Sequence, residues 1–195
     1  TGYEDDESKI GDLRPLNKYG YSKQIFDVWA LKQEKKPAKW AGFKFFNVYG
    51  PNEYHKGRMA SVVLHSFNQA QLEGEVKLFK SHRADYKDGG QLRDFVYIKD
   101  VVKVIKYFAD GKGKSGIYNL GTGNARSFYD LAMNTMKFAG KNPNINYIDM
   151  PIDIRDKYQY FTEASMQKIK DAGYKDEFYS FEDGIKDYVQ NYLMN

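Results

Sequence analysis

The sequence predicts an α/β protein, because short apolar strands alternate with amphipathic helices along its 195 residues. Two further observations support that class. Aromatic residues make up 16% of the chain, with 17 Tyr and 13 Phe, a composition suited to an ordered core. Hydrophobic residues reach 42%, yet no stretch approaches the about 18 consecutive apolar residues of a membrane span. Cysteine is absent, which removes disulfides, thiolate zinc sites and cysteine nucleophiles together. The acidic opening, residues 1–9, has neither the basic start nor the apolar middle of a secretory leader. Lys plus Arg number 30 against 26 acidic residues, and this small excess of +4 is interleaved with acids along the helices. No basic stripe emerges, so nucleic-acid binding is not expected. A soluble globular protein of a reducing compartment is the expectation.

Each element follows from local signals. Residues 1–15 read as an acidic loop. Asn17 suits the N-cap of a helix through residue 36, with Ile25, Val28, Trp29 and Leu31 at helical spacing and Pro37 as the stop. Residues 41–48 (AGFKFFNV) read as one buried strand entering the turn Tyr49-Gly50-Pro51. A loop over 52–57 leads to a helix over 59–73, closed by Gly74. Residues 76–79 form a strand, and 81–91 a polar, glycine-rich surface loop. A strand over 93–98 precedes a helix capped by Asp100 and running to 110. Residues 116–120 are a strand running into Gly121-Thr122-Gly123, after which Ser127 opens a helix to 139. A strand over 145–148 and a charged loop through 153–157 lead to two closing helices, 163–171 and 181–193. Ser180 and Asp183 stand close to a capping-box pattern at the start of the last one.

Chemistry concentrates first in Tyr19-Gly20-Tyr21-Ser22-Lys23. Residues four apart share a helix face, so the Tyr19 hydroxyl and the Lys23 ammonium can address one ligand. A free tyrosine has a pKa of about 10, and a neighbouring ammonium stabilises its phenolate toward the range useful for proton transfer. Alone, the same spacing also describes a solvated surface pair. The Gly121-Thr122-Gly123 turn lacks the full G-x-G-x-x-G pattern and is expected to be a turn without a cofactor role. No grouping of His, Asp and Glu has metal-site spacing, so no metal is expected.

Three stretches give Tyr19 and Lys23 a context: Phe45-Phe46-Asn47-Val48-Tyr49-Gly50-Pro51, His55-Lys56-Gly57-Arg58-Met59-Ala60-Ser61, and Arg93-Asp94-Phe95-Val96-Tyr97. With Asn119-Leu120-Gly121-Thr122-Gly123 and Lys157-Tyr158-Gln159-Tyr160-Phe161-Thr162, they make the chain resemble the extended short-chain dehydrogenase/reductases. Within them, it is most similar to the ADP-L-glycero-D-manno-heptose 6-epimerases. The resemblance implies the C-terminal part of a Rossmann-type fold with a smaller α/β substrate-binding domain. Residues 1–50 would end the nucleotide-binding domain and 51–195 would be mainly the substrate domain, with 93–125 returning to the first sheet.

By that resemblance Tyr19 and Lys56 are the acid/base pair, and Lys23, Val48 and Lys56 approach an NADP cofactor. Asn47, Arg58, His65, Phe79, Lys80, Ser81, His82, Arg93 and Tyr158 would then line an ADP-heptose pocket. A guanidinium such as Arg93 suits a diphosphate because it donates two parallel hydrogen bonds. His55, His65, Arg58, Lys80 and Tyr158 also read as ordinary surface or packing residues. The resemblance further implies a cytoplasmic homo-oligomer, typically a pentamer, acting in lipopolysaccharide inner-core synthesis. Other readings are a sugar-nucleotide 4-epimerase or dehydratase, and a non-catalytic nucleotide-sugar-binding module. The family's Gly-rich dinucleotide turn has no counterpart ahead of Tyr19, and residues 84–92 look like an insertion. The expectation is therefore a piece of the enzyme that holds the acid/bases and the sugar pocket without most of the cofactor site.

Overall fold

The computed structural model describes residues 5–155 and 158–195. A 3-10 turn, Glu7–Asp12, precedes α1, Lys18–Lys32. Asn17 caps α1 as expected, its side chain accepting the Gly20 N–H at 2.8 Å. The helix ends four residues early because Gln33 turns extended and returns its N–H to the Ala30 carbonyl. Its apolar residues do not form a buried stripe. Gln24 is the buried side chain of α1, donating to the Ile10 and Leu13 carbonyls, while Ile25, Phe26 and Trp29 are exposed.

The expected strand over 41–48 is two strands, β1 (Ala41–Phe45) and β2 (Asn47–Tyr49). A 3-10 turn, Tyr54–Met59, leads to α2, Val62–Leu72, which starts at Val62 because Ser61 is its N-cap. Then follow β3 (Val76–Phe79), β4 (Leu92–Tyr97), α3 (Ile98–Ala109) and β5 (Gly116–Leu120). The strand β6 (Ala125–Ser127) was not anticipated; α4 (Phe128–Phe138) begins directly after it, capped by Ser127 as expected. The chain closes with β7 (Ile145–Ile148), α5 (Ile152–Arg155), β8 (Phe161–Thr162), α6 (Gln167–Asp171) and α7 (Phe181–Tyr188). The last predicted helix finishes as a π-helical turn, Val189–Leu193. Asp100 is not a cap: it lies buried in the first turn of α3 and accepts the Tyr179 N–H at 3.0 Å, tying α3 to the approach to α7.

Partner exchange explains the split strand. β1 runs parallel to β5, with Ala41 opposite Gly116, and the Phe46 N–H still reaches the Leu120 carbonyl at 3.1 Å. One residue later the chain pairs instead with β4, Asn47 opposite Phe95. β4 also receives β6 antiparallel and β8 parallel, while β3 and β7 form a separate parallel pair. β4 is buried on both faces. Its Phe95 and Tyr97 join Val63, Leu131, Ile185 and Tyr188 in one core, and its Val96 joins Val101, Tyr118, Leu120 and Ile169 in another. Each such side chain contributes roughly 1.5–3 kcal/mol by leaving water. Ala70, Val76, Leu78, Ala132 and Met136 fill a third cluster under β3. At the outer edge of β5, the Asp5 and Glu7 carboxylates accept the Asn119 and Ile117 N–H groups at 2.7 and 2.8 Å, which closes that edge to further pairing.

Candidate active site

Tyr19 and Lys23 do share a face of α1. The Lys23 ammonium lies 5.0 Å from the Tyr19 ring centroid, and Tyr19 is 72% exposed, open to a ligand. An ion pair between Lys44 of β1 and Asp27 anchors this helix to the strand that leads into Asn47 and Val48. Asn47 is exposed at the start of β2, and Val48 is half-buried against the second core.

Lys56 and Arg58 project from the exposed 3-10 turn after β2, whose buried face is missing altogether. His65 lies one turn into α2, half-buried, its N–H on the Ser61 carbonyl. The acid/base candidates thus stand on separate elements, Tyr19 on α1 and Lys56 on the loop between β2 and α2.

A third group gathers where β3 ends and β4 begins. Arg93 is only 9% exposed, and its guanidinium donates to the Leu92 and Gln159 carbonyls. It lies over the Tyr158 ring at 5.2 Å and the Phe128 ring at 5.7 Å. Among the described residues no carboxylate pairs with it. Burial pulls the Arg93 pKa down and pushes the Tyr158 hydroxyl up, the latter opposed by Arg93 itself. Phe79 meets Tyr158 edge-on, and the His82 N–H is held by the Tyr160 hydroxyl at 2.8 Å. Ser81 is engaged within its own loop through Asp88 and Arg83, and Lys80 pairs with Asp149 at 3.3 Å. Phe79, His82, Arg93 and Tyr158 therefore belong to one cluster, while Lys80 and Ser81 border it. Lys157 of the same motif lies outside the described residues.

The Gly121-Thr122-Gly123 turn is unavailable to a phosphate. The fully buried Asp94 carboxylate already accepts the Thr122 N–H (2.7 Å), the Thr122 hydroxyl (2.6 Å) and the Gly123 N–H (2.9 Å). Gly121 is required there, since a Cβ would come within 2.5 Å of Asp94 Oδ2. An anion does sit at this turn; it is the protein's own.

Comparison with known proteins places these features in a lineage. Residues 2–121 match the profile of the NAD dependent epimerase/dehydratase family. The chain belongs to that family. It is 56% identical over 200 residues to ADP-L-glycero-D-manno-heptose-6-epimerase of Fusobacterium nucleatum, covering 98% of this chain and 60% of that protein. A protein of the same name from Nitratidesulfovibrio vulgaris is 48% identical over 192 residues, covering 98% and 59%. This chain therefore spans about 60% of the length of these curated relatives. Among solved structures, the ADP-L-glycero-D-manno-heptose-6-epimerase of Helicobacter pylori superposes with a TM-score of 0.75 at 36% identity, over 91% of this chain and 52% of that one. UDP-glucose 4-epimerase of Thermus thermophilus, solved with NAD, gives 0.72 at 27% identity, over 92% and 55%. The α/β architecture with parallel strands is that of the epimerase/dehydratase family.

Two polar residues of this family member escaped sequence reasoning: Asp94 and Glu53. The local sequence gives no sign of either role. Asp94 is recognisable only once β4, the 121–123 turn and Ala164 are side by side, and Glu53 only once Ser61 and Tyr188 reach it.

Proposed function

We propose that this chain carries the acid/base and sugar-binding part of a nucleotide-sugar epimerase that inverts C6 of ADP-D-glycero-β-D-manno-heptose. The observation that carries this reading is Arg93, a guanidinium held between two aromatic rings with no carboxylate partner among the described residues. A buried cation of that kind suits the diphosphate of a nucleotide sugar. The heptose itself is argued from the relatives at 48–56% identity.

In this reading Tyr19 takes the proton from the C6 hydroxyl on one side of the sugar, with the Lys23 ammonium beside it on the same helix face. Lys56 gives or takes the proton on the other side, so the carbonyl is served in both of its orientations. Asn47 and Tyr158 orient the sugar, and Arg58, His65, Phe79, Lys80, Ser81 and His82 line its path. A nicotinamide cofactor would supply the hydride acceptor and return the hydride. The residues present fit its nicotinamide end: an exposed hydroxyl and ammonium on one face of α1, a helix ion-paired to β1, which leads into Val48 of β2. Its diphosphate finds no place at the Gly121-Thr122-Gly123 turn, whose N–H groups Asp94 already holds. NADP in preference to NAD, a homo-pentamer, a cytoplasmic setting and a role in lipopolysaccharide inner-core synthesis complete the proposal. So does the division into a nucleotide-binding part, residues 1–50, and a mainly substrate-binding part, 51–195, with 93–125 returning to the first sheet.

The test is product analysis with ADP-heptose and, separately, UDP-hexoses in the full-length enzyme. The Tyr19→Phe, Lys56→Met double variant should lose C6 inversion, each group supplying about 100-fold or more, while its fold is retained. Retained inversion in that variant overturns the reading. Turnover of UDP-hexoses in preference to ADP-heptose reassigns it to a 4-epimerase.

A further inference from the structure

We infer that Glu53 is a positioning residue, a buried carboxylate that closes the base of the loop carrying Lys56 and thereby sets where Lys56 stands. The inference rests on the reading of Lys56 as an acid/base. Glu53 is 3% exposed. Its Oε2 accepts the Ser61 N–H at 2.7 Å, and its Oε1 accepts the Ser61 hydroxyl at 2.5 Å and the Tyr188 hydroxyl at 2.9 Å. Glu53 and Ser61 are the two ends of the loop, so one carboxylate joins entry to exit.

Outside the clamp the loop is tied at the surface, where the exposed Tyr54 hydroxyl donates to the Tyr192 carbonyl at 3.2 Å. Its 3-10 turn has no buried residue, and Tyr54, His55, Lys56, Arg58 and Met59 all face solvent. On either side of Lys56 the backbone turns through positive φ: Asn52 at +69°, a region asparagine tolerates better than most residues, and Gly57 at +51°, which glycine adopts at no steric cost. Within the loop the Lys56 N–H returns to the Glu53 carbonyl at 3.0 Å and the Ala60 N–H to Gly57 at 3.1 Å. Both are local bonds of the 3-10 turn, and neither reaches across the loop from entry to exit as the Glu53 carboxylate does. Beneath them, Tyr188 comes from α7 and is fully buried in the main core, so the clamp is referenced to the rigid interior. The same Ser61 hydroxyl caps α2 by accepting the Leu64 N–H, which couples the loop exit to the helix bearing His65. A buried carboxylate carries a desolvation cost that a packing role alone would not need, and three donors offset it.

The experiment compares Glu53→Gln, Tyr188→Phe and Lys56→Met in the full-length enzyme. It measures kcat and KM for ADP-heptose, melting temperature, and amide exchange across residues 54–60. Glu53→Gln should lower kcat by about a hundredfold, the scale of a displacement near 1 Å, with KM changed by less than about threefold. Exchange over 54–60 should accelerate while that of β4 does not, and Tyr188→Phe should show a smaller loss of the same kind. A Glu53→Gln enzyme with parental kcat overturns the proposal, as does a loss of activity that merely follows a fall in melting temperature with exchange raised throughout. If Lys56→Met keeps its activity, the assignment of Lys56 fails, and the positioning role fails with it. Faster exchange over 54–60 in Glu53→Gln would then show that the clamp exists but serves only the fold.

Discussion

Arg93 and Asp94 are adjacent in β4, carry opposite charges and have opposite surroundings. Pleating sends their side chains to opposite faces of the strand. Arg93 lies against the Phe128 and Tyr158 rings and donates hydrogen bonds to two carbonyls, with no carboxylate partner among the described residues. Replacing it with lysine keeps the charge but removes the planar fork and the stacking surface. Arg93→Lys should therefore weaken ADP-sugar binding by about tenfold or more in calorimetry, with a small change in melting temperature. Unchanged affinity would count against the role proposed for Arg93. Asp5 offers a test of a different kind. Burial pushes its carboxyl up to about 6, against an ordinary value near 4. The folded state holds that proton longer than the unfolded state, so stability is lost as pH rises from about 4 to 6. Asp5→Asn can still accept the Asn119 N–H without the charge. It should raise the melting temperature at pH 7.5 and leave it nearly unchanged at pH 4.

Elements show which parts of the fold were readable in the sequence and which were not. β3, β5 and β7 have the residue limits their apolar runs predict, and Asn17, Ser127 and Ser180 cap the helices their side chains announce. Those features depend on neighbours within a few positions. The break at Phe46 and the strand β6 were not readable, because their partners lie 31 to 74 residues away: Leu120 for Phe46, Phe95 for Asn47 and Asp94 for Ala125. The same distinction holds for the candidate site. Tyr19 and Lys23 follow from a four-residue spacing, and Arg93 from a motif. Glu53 depends on Tyr188, 135 positions later, and no local pattern reports it. Asp94 is the clearest test of element-level design, since its carboxylate joins β4, the 121–123 turn and the segment after β8 through the Ala164 N–H at 3.0 Å. In Asp94→Asn an amide NH₂ faces donors, leaving some unpaired. The expected cost is about 2–4 kcal/mol, or about 5–15 °C in melting temperature. A drop below about 2 °C would remove Asp94 from that role.

Across the whole molecule, stability is unevenly distributed. α4 sends Leu131, Ala132, Thr135 and Met136 into the interior, whereas α1 commits Gln24 and is otherwise held by the Lys44–Asp27 pair and the turn before it. Backbone amides of α1 should therefore exchange far faster than those of α4 and β4 in this chain, following local rather than global opening. Equal protection would contradict the packing. The partner exchange at Phe46 also governs where the chain can change length. Residues 83–88 lie in an exposed loop between β3 and β4, where an added or deleted residue costs little closure entropy. Deleting one residue at Phe46 is a different event. The hydrogen bonds of β1 to β5 would survive, but every side chain of β2 would turn to the opposite face. Tyr49, 3% exposed, would leave the core, and the exposed Asn47 would change faces. Variation in length among homologous chains should accordingly collect between β3 and β4 and be absent from residues 45–47, where the chain changes partner.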